Sequence, residues 1–147
     1  MPAMKRGEPN LTVTGWGSEM GKITKVDSAR LSIAISRDFC MSAVAHRPGP
    51  PALCDGLMVG IADMDRDPPH GGELHPDGDE LIYVISGKVR VVGESAPHES
   101  CELGPGGACI VSKGEWHRVS ILEPTRLLHI TPGPQGDHRP IGASRRP

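Results

Sequence analysis

Prolines and glycines interrupt this chain so often that no helical period of useful length survives between them. Nineteen Gly and fifteen Pro, against one Phe and one Tyr, favour many turns and short strands instead. "HRPGPPALCDG" (46–56) cannot be regular structure, because its prolines remove backbone donors. Apolar runs of strand length lie between such breaks. "RLSIAIS" (30–36) alternates Leu31, Ile33 and Ile35 with small or polar residues, as a half-buried strand does. "LMVGIADM" (57–64), "LIYVIS" (81–86), "KVRVVGE" (88–94), "ACIVS" (108–112), "HRVSIL" (117–122) and "RLLHIT" (126–131) are further strand candidates. Gly87 separates two of them and predicts a tight hairpin turn. "APHESCELGPGG" (96–107) reads as a turn-rich connection.

Short strands with closely spaced turn signals predict an all-β sandwich or closed barrel, and closure would remove exposed strand edges. The expected organisation is an N-terminal arm over 1–29, one barrel over 30–131, and a tail over 132–147 that runs across the surface. A length of 147 residues suits one domain with a real core. The formal charge of −2 gives no electrostatic case for nucleic acid or an anionic membrane as partner. No apolar run reaches bilayer-spanning length, and "MPAMKRGEPN" is followed by no apolar h-region, so cytoplasm is the expected compartment. Cys40, Cys54, Cys101 and Cys109 lie far apart with no C-x-x-C pair, which predicts free thiols rather than a zinc knuckle.

The chemistry concentrates in "HGGELHPDGDELIYVISG" (70–87), where two histidines and four acidic residues precede a buried strand. Successive strand side chains alternate between faces, so Glu73 and His75, two apart, share one face if extended. Glu80 shares parity with Ile82 and Val84, while Leu81, Tyr83 and Ile85 take the other face. A carboxylate on the cavity side of an apolar strand is costly unless paired, protonated or metal-bound. Imidazole and carboxylate together suit Zn, Fe, Ni or Mn. Asp77 and Asp79 sit in "PDGD" and are expected to be solvated turn residues. A second stretch, "GPGGACIVSKGEWHRVSI", puts His117 on one face with Val119 and Ile121. Trp116 then points away from that face, toward core or a subunit interface.

These two stretches together resemble the motifs of the cupins, small double-stranded β-helix (jelly-roll) barrels. The first cupin motif reads G-x5-H-x-H-x3,4-E-x6-G. His75 takes its second His, Glu80 its Glu and Gly87 its closing Gly. The second reads G-x5-P-x-G-x2-H-x3-N, and Gly106, Gly114 and His117 match at the right spacing. Glu73 stands where the first His is expected, Asp67 where the opening Gly is, Ser112 for the Pro and Ile121 for the Asn. The resemblance implies a jelly-roll barrel that binds one divalent metal ion (Fe, Mn, Ni or Zn), with Glu73, His75, Glu80 and His117 as the ligand set. It also implies homodimerisation through the outer apolar face of Leu81, Tyr83 and Ile85.

Three readings of the site stay open on the sequence. Glu73 is a fourth ligand; or Glu73 is a general base beside a two-His-one-carboxylate set; or the residues form a polar core without metal. His70 and His129 are further candidates, and Cys109 shares parity with Val111 but is expected to be a packed thiol. The resemblance implies a metal-dependent enzyme of dioxygenase, decarboxylase, isomerase or lyase type, acting on a small polar molecule in the cavity. A non-catalytic barrel that binds a sugar or another small molecule is the alternative.

Overall fold

A computed structural model describes residues 22–142. Residues 1–21 of the expected arm and 143–147 of the expected tail lie outside this range. The described residues are all-β, with no helix. Nine strands occur in order: β1 Leu31–Ser36, β2 Met41–Ala45, β3 Gly56–Met64, β4 Gly72–Leu74, β5 Glu80–Gly93, β6 Ser100–Leu103, β7 Ala108–Val111, β8 His117–Pro132 and β9 Asp137–Arg139. All pairings are antiparallel, and the sheet curls upon itself as a jelly roll.

The frame is the pairing of β5 with β8 along nearly their whole lengths. The first half of β5 pairs with the second half of β8, from Leu81↔Ile130 to Val84↔Leu127. The second half of β5 pairs with the first half of β8, from Val89↔Ile121 to Gly93↔His117. Each strand therefore serves two leaves. One leaf continues outward from β8 through β3 and β1 to β2, and from β5 to β7. The other continues from β8 through β4 to β9, and from β5 to β6. Side chains from both leaves build one core: Ile82, Val84, Leu127 and Val111 with Val89, Val91, Leu103 and Val119. Val84 and Val89 are fully buried, each worth about 1.5–3 kcal/mol of burial.

The hairpin expected at Gly87 does not form. Gly87 is instead a bend inside one fourteen-residue strand, where the β5–β8 register shifts. It has φ +81°, and a Cβ there would stand 2.1 Å from the Pro124 carbonyl oxygen. Only glycine accepts that conformation cheaply, and a bulge needs it as much as a turn does. The facing bend joins the two expected strands 117–122 and 126–131 into β8. Thr125 Oγ1 lies 2.7 Å from the Glu123 carbonyl and 3.2 Å from that of Lys88, within the bend.

Three strands depart from the sequence expectation. β6 lies inside the stretch read as a connection, because Arg90↔Glu102 and its neighbours pair on the edge of β5. β2, the short run Met-Ser-Ala-Val-Ala, pairs with β1 and is mostly exposed, so neither alternation nor length marked it as a strand. β9 lies in the surface tail and pairs with β4, from Gly72↔Arg139 to Leu74↔Asp137. The Arg139 guanidinium sits 3.8 Å over the Trp116 ring and also binds Glu94, which clamps β9 to the barrel.

Candidate metal centre

The frame brings four donors together. Glu73 lies on β4, His75 just beyond it, Glu80 opens β5 and His117 opens β8. Glu73 and His117 are direct cross-strand partners, and such pairs place side chains side by side. The Gly114 N–H donates to the His75 carbonyl at 3.0 Å, fixing the end of β4 against the turn before β8. One ligand atom from each of the four lies within 4.8 Å of the others.

The contacts within this set are close. His117 Nε2 lies 3.0 Å from Glu80 Oε2 and 3.5 Å from Glu73 Oε1. His75 Nε2 lies 3.4 Å from Glu80 Oε2 and 3.8 Å from Glu73 Oε2. His75, Glu80 and His117 are buried. His75 Nε2, His117 Nε2 and Glu80 Oε2 meet one another only as ion pairs and form no hydrogen bond of sound geometry. Buried polar atoms are rarely left so. Two imidazole nitrogens and a carboxylate oxygen converging without hydrogen bonds fit a divalent ion of the Zn, Fe, Ni or Mn type.

Surrounding groups fix the donors' orientation. His117 Nδ1–H donates to the Glu115 carbonyl at 3.2 Å, which leaves Nε2 facing the carboxylates. Thr131 Oγ1–H donates to Glu80 Oε1 at 2.7 Å. Its single proton is then used, so His129 Nδ1 at 2.9 Å must donate to Thr131. Gly60 makes room for His129: a Cβ there would stand 2.4 Å from its Nε2.

Electrostatics follow the same geometry. Burial by itself would push His117 down, but Glu73 and Glu80 outweigh it and hold its pKa up at about 10. Burial would raise Glu80, but His117, His75 and Thr131 win and hold it far below the usual carboxylate range. Glu73 is lowered on the same balance, with burial opposed first by His117. Burial pushes His129 down, against the pull of Glu80 and Glu73, which favours its neutral form.

The structure brings together all four residues singled out in the sequence. His70 and His129 join their surroundings, His70 Nε2 at 3.9 Å from Glu73 Oε2 and His129 through Thr131. Cys109 packs partly buried against the core, and burial, then neighbouring Cys101, raises its thiol to about 11, so it is an unreactive packed thiol. All four cysteines are free. Asp77 and Asp79 are more than solvated turn residues. Asp79 accepts the Lys113 N–H at 2.7 Å and Asp77 the Gln135 N–H at 2.6 Å, tying the motif loop to two distant turns. Asp67, in the place of the motif glycine, accepts the Ile121 N–H at 2.6 Å.

His138 is a neighbour that sequence reasoning missed. It stands opposite Glu73 on β9, with Nε2 3.6 Å from Glu73 Oε2. Its one signal was a lone His in a Pro- and Gly-rich tail, "PGPQGDHRP". A cavity of about 380 Å³ opens on the β1–β3 side, lined by Ser32, His46, Arg47, Met58, Asp63 and His129 among others.

An all-β jelly roll with a buried His/Glu cluster that could hold a metal defines the class of protein. Residues 65–131 match the family model described as a cupin domain. Solved structures similar to it include a cupin superfamily protein from Desulfitobacterium hafniense, at 18% identity over 54% of this chain and 70% of that one, with TM-score 0.46. A Bacillus halodurans protein is 26% identical over 58% of this chain and 70% of that one, with TM-score 0.47. KdgF from Halomonas sp. is 26% identical over 56% and 75%, with TM-score 0.45. No curated protein matches the chain. No helix among the described residues is long and apolar enough to cross a membrane.

Proposed function

We propose that this protein is a metal-dependent enzyme acting on a small polar molecule. One divalent ion would be held by His75, Glu80 and His117, with Glu73 as fourth ligand. The observation that carries the reading is the convergence of three buried donor atoms, His75 Nε2, His117 Nε2 and Glu80 Oε2, without a hydrogen-bond partner. Two carboxylates and two neutral imidazoles would balance the charge of a divalent ion. When bound, such an ion supplies Lewis-acid polarisation or oxygen activation.

The protein's own residues prepare the site. The Glu115 carbonyl fixes the His117 tautomer, and the His129–Thr131 relay holds one oxygen of Glu80 so that the other faces the donors. The cavity of about 380 Å³ has none of the four donors on its wall and meets the site only through His129, which also bonds Thr131. The reaction types that fit are dioxygenation, decarboxylation, isomerisation and elimination. We further propose a cytoplasmic homodimer. Tyr83 and Ile85, each 40% exposed, and Ile110, 69% exposed, support pairing through the outer face of β5 and β7.

Metal analysis of full-length protein, purified without chelator and offered Zn, Mn, Fe(II) and Ni in turn, tests the reading. At least one equivalent should bind, and the double change His75→Ala with His117→Ala should remove the ion held by the four-residue set. Failure of the wild type to bind any of the four ions defeats the metalloenzyme and favours the small-molecule-binding barrel. Turnover of a candidate substrate, lost when metal is stripped and restored when it returns, separates the same two.

A further inference from the structure

The strand pairing builds more than the four-residue set. In the β8–β4–β9 leaf, His117, Glu73 and His138 form one cross-strand row. Cross-strand partners on one face lie side by side, so the Glu73 carboxylate stands between two imidazoles. Its Oε1 faces His117 at 3.5 Å. Its Oε2 faces His138 at 3.6 Å and His70 at 3.9 Å, in both cases toward Nε2. His70, Glu73 and His138 each offer one ligand atom, all within 4.8 Å of one another.

This outer group has the composition of a metal site in its own right, two imidazoles and one carboxylate with open positions. Its exposure is graded: the side chains of His70, Glu73 and His138 are 17%, 19% and 34% exposed. The rings of His70 and His138 pack edge to face with centroids 4.9 Å apart, which limits their rotation. His70 Nδ1 is buried without a hydrogen-bond partner. The tail is held firmly enough to present His138. Arg139 is stacked on Trp116 and bound to Glu94, and Asp77 accepts the Gln135 N–H.

We propose that His70, Glu73 and His138 form a second divalent-cation site at the mouth of the barrel, joined to the inner centre by Glu73 as a bridging carboxylate. The inner ion would take His75, Glu80, His117 and Glu73, and the outer ion His70, His138 and the same Glu73 carboxylate, whose Oε2 also lies 3.8 Å from His75 Nε2. Two divalent ions against two carboxylates leave an excess of positive charge, so the outer, more exposed site is the weaker. The same excess would attract an anionic group of a ligand to the open positions. The bridge rests on the inner set being a metal centre, whereas the outer set has three donors of its own.

The test uses the full chain, stripped with chelator and titrated with Co(II), with bound cobalt measured after equilibrium dialysis. The wild type should take two equivalents in a tight and a weaker step. His70→Ala and His138→Ala should each take one, tightly, and His117→Ala should lose the tight step and keep the weaker. His138→Gln, with thermal unfolding as the folding check, guards against a disturbed β9. A wild type that saturates at one equivalent, with His138→Ala unchanged, overturns the second site and leaves the proposed inner centre standing. A wild type that binds no cobalt overturns both.

Discussion

The inner and outer donors share one carboxylate but stand on different foundations. His75, Glu80 and His117 have side chains 6%, 6% and 1% exposed, and two of them open the long paired strands β5 and β8. His70 and His138 are 17% and 34% exposed and come from a loop and a three-residue strand. The inner positions rest on many ladder hydrogen bonds and on the Val84–Val89 core. The outer ones rest on a few side-chain clamps: Arg139 on Trp116, Arg139 with Glu94, and Asp77 on the Gln135 N–H. A site can therefore be rigid on one side and adjustable on the other within a few ångströms. Local unfolding of such short clamped segments costs less than global unfolding.

Changes to the inner set should have the largest effect. His117→Ala should weaken metal at the inner centre by more than about 100-fold, since merely disturbing a ligand's supporting hydrogen bond costs 10–100-fold. Equilibrium dialysis against a buffered metal checks this, and unchanged affinity would remove His117 from the ligand set.

The pH dependence of the metal-free protein sharpens the contrast next. His117 is raised from 6.5 to about 10, so its contribution to stability is full below 6.5 and is lost as pH rises through about 10. Glu73 and Glu80 are lowered from 4.5, so theirs is full above 4.5 and is lost as pH falls below it. On these groups metal-free protein should decline toward pH 10 and again below pH 4.5, and the lowered His129 adds a loss as pH falls below 6.5. Added metal should flatten that alkaline decline by taking the place of the His117 proton. Thermal unfolding across pH, with and without Zn, reads it, and equal alkaline slopes in both series would contradict the coupling.

Two changes to the frame come next. Gly87→Ala should cost about 3 kcal/mol, combining a left-handed backbone with a Cβ forced against the Pro124 carbonyl. Val84→Ala should cost about 2–3 kcal/mol for lost methyls and a cavity. Urea unfolding measures both, and a loss below about 0.5 kcal/mol in either would show the bend or the core to be looser than described. The smallest global effect belongs to the clamp. Arg139→Ala should cost about 1 kcal/mol or less. It should nevertheless speed hydrogen exchange in β9 and β4 while leaving β5 and β8 protected. Uniform protection across all four strands would show that Arg139 does not hold the mouth.

Much of the inner site was legible because its signals are local. The alternation of Glu80, Ile82 and Val84 against Leu81, Tyr83 and Ile85 assigns faces without any knowledge of partners, and the burial of the first three agrees. The same holds for His117 and Val119. Motif spacing then joined the two stretches, and the resemblance to cupins gave the barrel. Gly87 was misread as a hairpin turn because a glycine with positive φ serves a turn and a bulge equally well. Only the partner strand distinguishes them, and here β8 bends at Thr125 opposite it.

By itself, then, the sequence determined the fold class, the strand faces and the four residues that cluster at the proposed inner centre, since each depends on residues near in the chain or on a motif of fixed spacing. The tertiary structure alone decided that β5 and β8 are continuous, that Asp67, Asp77 and Asp79 accept backbone N–H groups from distant segments, and that His138 faces Glu73. The reason is physical. Strand alternation is written into consecutive residues, whereas cross-strand neighbours are chosen by register, which is set where many weak pairings agree at once. His138 is separated from Glu73 by nearly half the chain, and no periodicity in "GDHRP" points across that distance.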